Sequence, residues 1–361
     1  MSKKCRFLIA VLCLCLLTVP LFSLCVCAVD LDIDAVSAIL IEAETGKVLY
    51  EKNADERLPP ASVTKIMTLL LVMDAIEAGN IHLDDKVSTS ANAASMGGSQ
   101  VYLEPGEEMR VEELIKCVVI SSANDAAVSL AEYVAGSEEE FVARMNERAE
   151  GLGMVNTHFE NTNGLDDTTT AHYSSARDIA LMSAALLKYP KILEYSGIWM
   201  DSIRDGAFTL TNTNRLIRFY QGATGLKTGS TSKAKFCISA TAKRNDMHLI
   251  AVIMASSSRD TRNEAAKKLL DYGFANYTFV RYEAQNLEPV SVTGGIQDTC
   301  TPMRTPFSVV LRKEDAKNMT EKLELQENLQ APLVEGQEIG KITYMIGEEC
   351  VGSTSIVAGE T

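Results

Sequence analysis

Three Ser-x-x-Lys tetrads, starting at Ser62, Ser230 and Ser232, offer a hydroxyl nucleophile and an amine base one helical turn apart. Only the first opens a helical pattern. Pro59-Pro60-Ala61 precedes it, and Ile66, Leu69, Leu70, Met73 and Ile76 recur at helical spacing until Gly79. Residues three apart on a helix share a face, so the Lys65 amine can reach the Ser62 hydroxyl. A helix start also presents unpaired N–H groups and a positive dipole end, which help hold negative charge developing on a carbonyl attacked by Ser62. A serine nucleophile needs a base, and none of the four histidines (His82, His158, His172, His248) sits in a pattern that suggests a Ser-His-Asp triad. A lysine base is the natural substitute, provided that burial and a second cation let it shed its proton.

Two further patterns supply partners. Ser-x-Asn occurs at Ser90-Ala91-Asn92 in a polar stretch and at Ser122-Ala123-Asn124 between two helical patterns. The second is the candidate: its hydroxyl can relay a proton to a leaving group, and its amide can hold both the lysine and a substrate carbonyl. Standing alone, either triplet reads as a helix cap. Lys227-Thr228-Gly229 ends an extended run and places a cation and a hydroxyl beside a glycine, where a substrate backbone can approach closely. No histidine stands at metal-ligand spacing from another or from a cysteine, and Cys-x-x-Cys is absent after the first 28 residues, so neither a metal nor another cofactor is expected.

The elements that must position these groups follow from the hydrophobic pattern. Residues 37–42 alternate, Thr45-Gly46 turns, and 47–50 extends again, which reads as a hairpin. Helical patterns then run over 66–76, 111–120, 126–134, 138–152 and 175–187. Strands return at 208–210, 226–228, 236–242 and 249–255, and 260–274 reads as an amphipathic helix. From about Glu283, alternating segments at 289–293, 307–311 and 339–345 suggest a small all-β domain.

With 361 residues, 46% of them apolar and 23% charged, the chain has the length for two domains and the composition of a folded protein. Its net charge of -14 argues against a groove for nucleic acid. Lys3, Lys4 and Arg6 precede an uncharged run from Phe7 to Ala28, the pattern of a secretory signal peptide. Its removal would take those three cations from 34, leaving 31 basic against 48 acidic side chains, a charge of -17. The expected division is therefore a signal at 1–28, a catalytic domain at 29–282 and a β-rich domain at 283–361. Five of nine cysteines lie in the signal; Cys117, Cys237, Cys300 and Cys350 are widely separated and read as free thiols.

The three motifs occur in the order shared by class A β-lactamases and penicillin-binding proteins. The surrounding sequence narrows the match: Glu42-Ala-Glu-Thr-Gly-Lys-Val-Leu-Tyr50, Pro60-Ala-Ser-Val-Thr-Lys65, Ser122-Ala-Asn-Asp-Ala126, Asn163-Gly-Leu165 with His172-Tyr173-Ser174, and Gly225-Leu-Lys-Thr-Gly229. The chain resembles the low-molecular-mass penicillin-binding proteins of the serine-type D-alanyl-D-alanine carboxypeptidase family, strongly over about 36–274 and weakly beyond.

The resemblance implies an α/β fold of the penicilloyl-serine transferase (β-lactamase/transpeptidase-like) type, with an antiparallel sheet flanked by helices and the site beside a helical subdomain. It implies that Ser62 attacks the carbonyl between the terminal D-alanines of a peptidoglycan stem peptide and that Lys65 takes its proton. Ser122 and Asn124 would assist the leaving group and place the substrate. The backbone N–H groups of Ser62 and Ser230 would form the oxyanion hole, and β-lactam antibiotics would acylate Ser62. Lys227, Thr228 and Gly229 would line the substrate strand. Ser230 departs from the aromatic residue or histidine often found there, which a backbone role tolerates. The substrate's terminal carboxylate needs a local cation; Arg262, 35 residues after Lys227 as in relatives, is the expected ligand, with Arg259 as the substitute. Strand 249–255 is expected to return beside Lys227 and Thr228.

Two alternatives remain at this point. A β-lactamase-like hydrolase would share fold and motifs, but class A enzymes position a water with Glu-x-x-Leu-Asn, and Leu-Asn does not occur in this chain. A catalytically silent wall-binding protein would keep only the cleft. The C-terminal β segment carries no recognisable site, so it reads as a stalk or a surface for membrane or cell-wall protein contact. An extracytoplasmic location, at the wall or the outer face of the membrane, follows from the signal.

Overall fold

The computed structural model describes residues 31–359, so the expected signal peptide at 1–28 lies outside the described residues. The main sheet is antiparallel, with strands in the order Val48–Lys52, Ser37–Glu42, Met247–Ser256, Lys235–Arg244 and Ala223–Thr231. Every residue of Ser37–Glu42 is buried, and helices Arg259–Asn276 and Ala176–Leu186 pack on this strand and on its neighbour Met247–Ser256. A strand buried on both faces reads as an unbroken apolar run, which is why Leu249 to Met254 shows little alternation.

One expectation about this sheet is overturned. Strand Met247–Ser256 does not lie beside Lys227 and Thr228, because Lys235–Arg244 stands between and pairs with both. The links at 232–234 and 245–246 are too short for anything but consecutive antiparallel hairpins, so chain neighbours become sheet neighbours.

Helix Lys65–Glu77 runs through the middle of the helical part. Lys65, Ile66, Met67, Thr68, Leu69, Leu70, Val72, Met73 and Ala75 are all buried, so almost its whole circumference is covered, as expected of a helix apolar on all sides. It packs against Val111–Ser121, Asn124–Ala135, Glu138–Gly151 and Ala176–Leu186. The last helix, Arg259–Asn276, begins at a Ser258 cap whose side chain accepts the Thr261 N–H at 3.1 Å. That cap places Arg259 and Arg262 in and beside the first turn.

The C-terminal segment is β-rich, with strands Gln285–Asn286, Pro302–Arg304, Glu349–Ala358, Glu338–Ile346 and Met319–Leu325 in one sheet and a single helical turn at Lys313–Ala316. It has its own apolar cluster around Ile339, Ile342, Tyr344 and Ile356. Tyr277–Tyr282 pairs with Phe307–Arg312, so the strand just before residue 283 forms a ladder with one well beyond it. Tyr282 and Phe307 both stack on Tyr344, with ring centroids 5.0 and 4.1 Å away.

Cys117, Cys237 and Cys300 are buried, Cys350 is exposed, and none of the four is bridged. Burial pushes the Cys237 thiol up to about 11. Native alkylation followed by peptide mapping should therefore modify Cys350 alone of these four, and alkylation after unreduced denaturation should modify all four. Protection of any pair in the denatured protein would reveal a disulfide.

Candidate active site

Ser62 sits in a 3-10 turn, Ala61–Thr64, that leads directly into helix Lys65–Glu77. Ala61, just before it, holds φ +48°, a left-handed conformation that costs a non-glycine residue about 1–3 kcal/mol. Two close approaches over-determine this turn. A Cβ on Gly229 would come within 2.8 Å of the Pro60 carbonyl and 2.9 Å of the Ser62 nitrogen, so strand Ala223–Thr231 meets the nucleophile's turn backbone to backbone. The glycine of Lys227-Thr228-Gly229 thus admits the protein's own turn. A Cβ on Gly164 would lie 1.9 Å from the Ala61 carbonyl oxygen, so the loop carrying Asn163 presses on the same turn from elsewhere.

Lys65 is fully buried. Its Nζ lies 2.9 Å from Ser62 Oγ, and it donates to Asn124 Oδ1 at 2.5 Å and to the Asn163 carbonyl at 2.8 Å. Asn124 is fixed in that orientation because its Nδ2 donates to the Gly97 carbonyl at 2.7 Å. Two of the three partners of Lys65 can only accept, whereas Ser62 can also donate. A neutral amine has two N–H groups and one lone pair, so filling both acceptors turns the lone pair toward the Ser62 hydroxyl. The environment favours that neutral form: burial holds Lys65 well below the usual ammonium range and the nearby Lys227 adds to the effect, with Asp125 opposing it.

Ser122 ends helix Val111–Ser121 in a left-handed conformation, φ +63°, and its N–H donates to the Cys117 carbonyl. This reversal lets the next helix, Asn124–Ala135, start at once, with the Asn124 N–H bonded to the Ser99 carbonyl at 2.7 Å. The other Ser-x-Asn triplet is a helix cap, with Ser90 accepting the Ala93 N–H. The tetrads at Ser230 and Ser232 form no comparable pair: Lys233 donates to the Asp166 carbonyl at 2.5 Å, and Lys235 is exposed.

Ser62, Ser122, Thr228, Gly229, Ser230 and Arg262 line one cavity, together with Ser99, Thr213 and Arg259. Lys65, Asn124 and Lys227 are buried behind its wall. Lys227 Nζ donates to the Thr228 carbonyl at 3.0 Å; burial and the neighbouring Arg262 charge bring its pKa down to about 7. Arg262 is itself buried, giving Nε and Nη2 to Asn263 Oδ1 and Nη1 to the Cys237 carbonyl at 3.4 Å. It therefore reaches the cavity across the intervening strand, and burial, reinforced by Arg259, lowers it to about 10.

Three contributors were not singled out from the sequence. The Thr213 hydroxyl accepts from Thr228 at 2.8 Å, and its N–H reaches the Ile120 carbonyl at 3.0 Å, bracing the strand against the end of the helix that carries Ser122. The Asn163 carbonyl is a main-chain group in Asn163-Gly-Leu165, one of the stretches that carry the family resemblance but to which no role was given, and the turn is held by Asn161 Oδ1, which accepts the Gly164 N–H at 2.7 Å. Ser99 is marked by nothing but neighbouring glycines. His172 accepts the Glu160 N–H at Nδ1, so its Nε2 donates to Thr64 Oγ1 at 2.8 Å and buttresses the nucleophile's turn. Burial pushes it down to about 4.

Comparisons with known proteins identify the family. The peptidase S11 family, D-alanyl-D-alanine carboxypeptidase, matches residues 25–258, and the C-terminal domain of penicillin-binding protein 5 matches residues 290–361. The chain is 46% identical to the D-alanyl-D-alanine carboxypeptidase DacF of Bacillus subtilis, covering 92% of this chain and 86% of that protein. Penicillin-binding protein 5 from Haemophilus influenzae superposes with a TM-score of 0.79 at 31% identity, over 91% of this chain and 97% of that one. Penicillin-binding protein D2 from Listeria monocytogenes, solved in an ampicillin-bound form, gives 0.62 at 31% identity, over 67% and 98%. A family match over most of the sheet and helices, joined to that identity along nearly the whole length, means that the chain belongs to the D-alanyl-D-alanine carboxypeptidase family of peptidases.

Proposed function

We propose that this chain removes the terminal D-alanine from peptidoglycan stem peptides through an acyl-enzyme on Ser62, and that penicillins acylate the same hydroxyl. The observation that carries the reading is the fully buried Lys65 amine 2.9 Å from Ser62 Oγ, with its two other partners both acceptors. Ser62 attacks the carbonyl between the two D-alanines while Lys65 takes its proton. The N–H groups of Ser62 and Ser230 hold the oxyanion, Ser122 passes a proton to the departing amine, and Asn124 steadies both Lys65 and the substrate. Lys227, Thr228 and Arg262, with Arg259 at the rim, attract the terminal carboxylate of the peptide. Water then hydrolyses the ester. A β-lactam presents the same carbonyl, and the ampicillin-bound relative supports its use here.

A β-lactamase-like activity is disfavoured because none of the partners of Lys65 is a carboxylate. Asp166, the acidic residue after Asn163-Gly-Leu165, spends its carboxylate on Thr231. A silent binding module would have no need of a lysine buried and desolvated against a serine. The division into 1–28, 29–282 and 283–361 is part of this reading, with secretion to the cell wall or the outer face of the cytoplasmic membrane and with the C-terminal segment as a stalk or contact surface. Among the described residues no helix is long and apolar enough to cross a membrane.

Ser62→Ala should abolish covalent labelling by a fluorescent penicillin while leaving circular dichroism unchanged; a labelled band mapping to Ser230 or Ser232 would refute the assignment. Lys65→Ala should slow acylation by about 10²–10⁴-fold, and a rate within twofold of wild type would remove Lys65 from the mechanism.

Arg262→Ala should lower kcat/KM at least about tenfold more on an acyl-D-Ala-D-Ala peptide than on a thioester analogue without the terminal carboxylate. Equal losses on both substrates, or a selective loss only in Arg259→Ala, would move the carboxylate site away from Arg262.

A further inference from the structure

Exposed aromatic rings gather at the two ends of one hairpin rooted beside the cleft. Strands Met200–Ile203 and Phe208–Thr211 pair in register, Met200 with Thr211 and Ile203 with Phe208. At the root, the Asn212 N–H donates to the Trp199 carbonyl at 2.9 Å, and the next residue, Thr213, lines the catalytic cavity. There Phe219, 69% exposed, stands edge to face with Trp199, ring centroids 6.3 Å apart, with the Arg218 guanidinium 5.6 Å from both. At the tip, Tyr102, 66% exposed, stands edge to face with Phe208 at 6.3 Å, and Arg204 lies 5.7 Å from the Phe208 ring.

Tyr102 is turned outward by force. It holds φ +58°, where a bulky side chain is an outlier, between the buried Val101 and Leu103. The buried Asp125 carboxylate accepts the N–H groups of Val101 and Leu103 at 3.1 Å, and Arg204 donates to the carbonyls of Val101 and Tyr102 at 2.9 and 3.1 Å. Asp125 adjoins Asn124, so the clamp that exposes this ring belongs to the same framework that holds Lys65.

We infer that this hairpin docks the glycan strand of the cell wall, a neutral polymer of sugar rings, beside the cleft that receives its peptide. The inference rests on the carboxypeptidase reading, in which the substrate peptide is tethered to such a polymer. Sugar rings offer C–H faces that pack on aromatic rings, while the arginines donate to hydroxyl and amide oxygens. Two such pairs, one hairpin length or roughly 14 Å apart at 3.4 Å per residue, suit a repeating polymer better than a single small ligand. The exposed face of the hairpin carries Ser202, Thr209 and Thr211, whose hydroxyls suit a polyhydroxyl partner, together with Met200, 56% exposed, which can pack on a sugar ring's C–H face. Phe208 belongs to the other face, with the buried Ile203 and Leu210, and reaches solvent at the tip beside Tyr102.

Trp199 is the sole tryptophan of the chain, so its emission reports directly on one end of the platform. Glycan strands released from purified wall by an amidase, with the lactyl carboxylates that this exposes capped as amides to keep the polymer neutral, should produce a saturable change in that emission. Affinity should fall about fivefold or more in Tyr102→Ala, at the far end of the hairpin, and likewise in Tyr102→Gly, where glycine adopts the observed φ freely and preserves the fold. The ratio of kcat/KM on wall-bound to free pentapeptide should fall in the same variants. No saturable change with glycan, a change insensitive to Tyr102, or a response to phosphatidylglycerol vesicles in place of glycan would overturn the inference. The binding measurement needs no turnover, so a chain that binds glycan but releases no D-alanine would contradict the carboxypeptidase reading alone.

Discussion

The structure depends on keeping one amine uncharged in the middle of a protein. Desolvating a lone ammonium costs several kcal/mol, more than the nearby Asp125 returns at a distance, so the neutral form of Lys65 is the economical one. A neutral amine still needs its two N–H groups satisfied, and that requirement selects its surroundings: one amide oxygen from the helix that begins at Asn124 and one main-chain carbonyl from the loop at Asn163. What remains is a lone pair and a serine. The catalytic pair is thus a consequence of hydrogen-bond bookkeeping around a buried nitrogen, and the neighbouring cation at Lys227 reinforces it.

Holding three chain segments around that nitrogen has local costs, visible in Ala61 and Ser122, two non-glycine residues with positive φ on either side of the cavity. The compensations are equally local. Gly229 and Gly164 bring a strand and a loop against the turn of Ser62 closer than any side chain would permit, His172 braces Thr64, and Thr213 ties the strand wall to the helical wall. Such a site is preorganised by backbone contacts, so its geometry does not rely on the rotamer freedom of exposed side chains.

Much of this was legible in the sequence because it is local. The spacing of Ser62 and Lys65, the apolar periodicity behind them, and the break between two helices at Ser122 are all set within a turn or two of chain. The Asn163 carbonyl was not legible, since a main-chain oxygen carries no residue-type signal and lies 98 positions from its partner. Thr213 acts through an ordinary hydroxyl that no spacing pattern sets apart from other threonines. Strand order was misjudged because the pattern identifies strands without naming their neighbours; only the shortness of the links after Thr231 and Arg244 encodes it. The strand Met200–Ile203 and the edge strand Met319–Leu325 escaped notice because Asp201, Glu321, Lys322 and Glu324 interrupt the expected alternation, charges that suit exposed strands.

The most direct test is the protonation state of Lys65 in the free enzyme. Carbon-13 labelling of lysine ε positions, with the Lys65 signal assigned by its loss in Lys65→Arg, would follow the amine by NMR through a pH titration. A neutral buried base predicts a midpoint well below the 10.5 of an ordinary lysine, with the signal of the uncharged amine present while surface lysines are still protonated. A Lys65 that titrates together with the surface lysines near 10.5 would contradict the account.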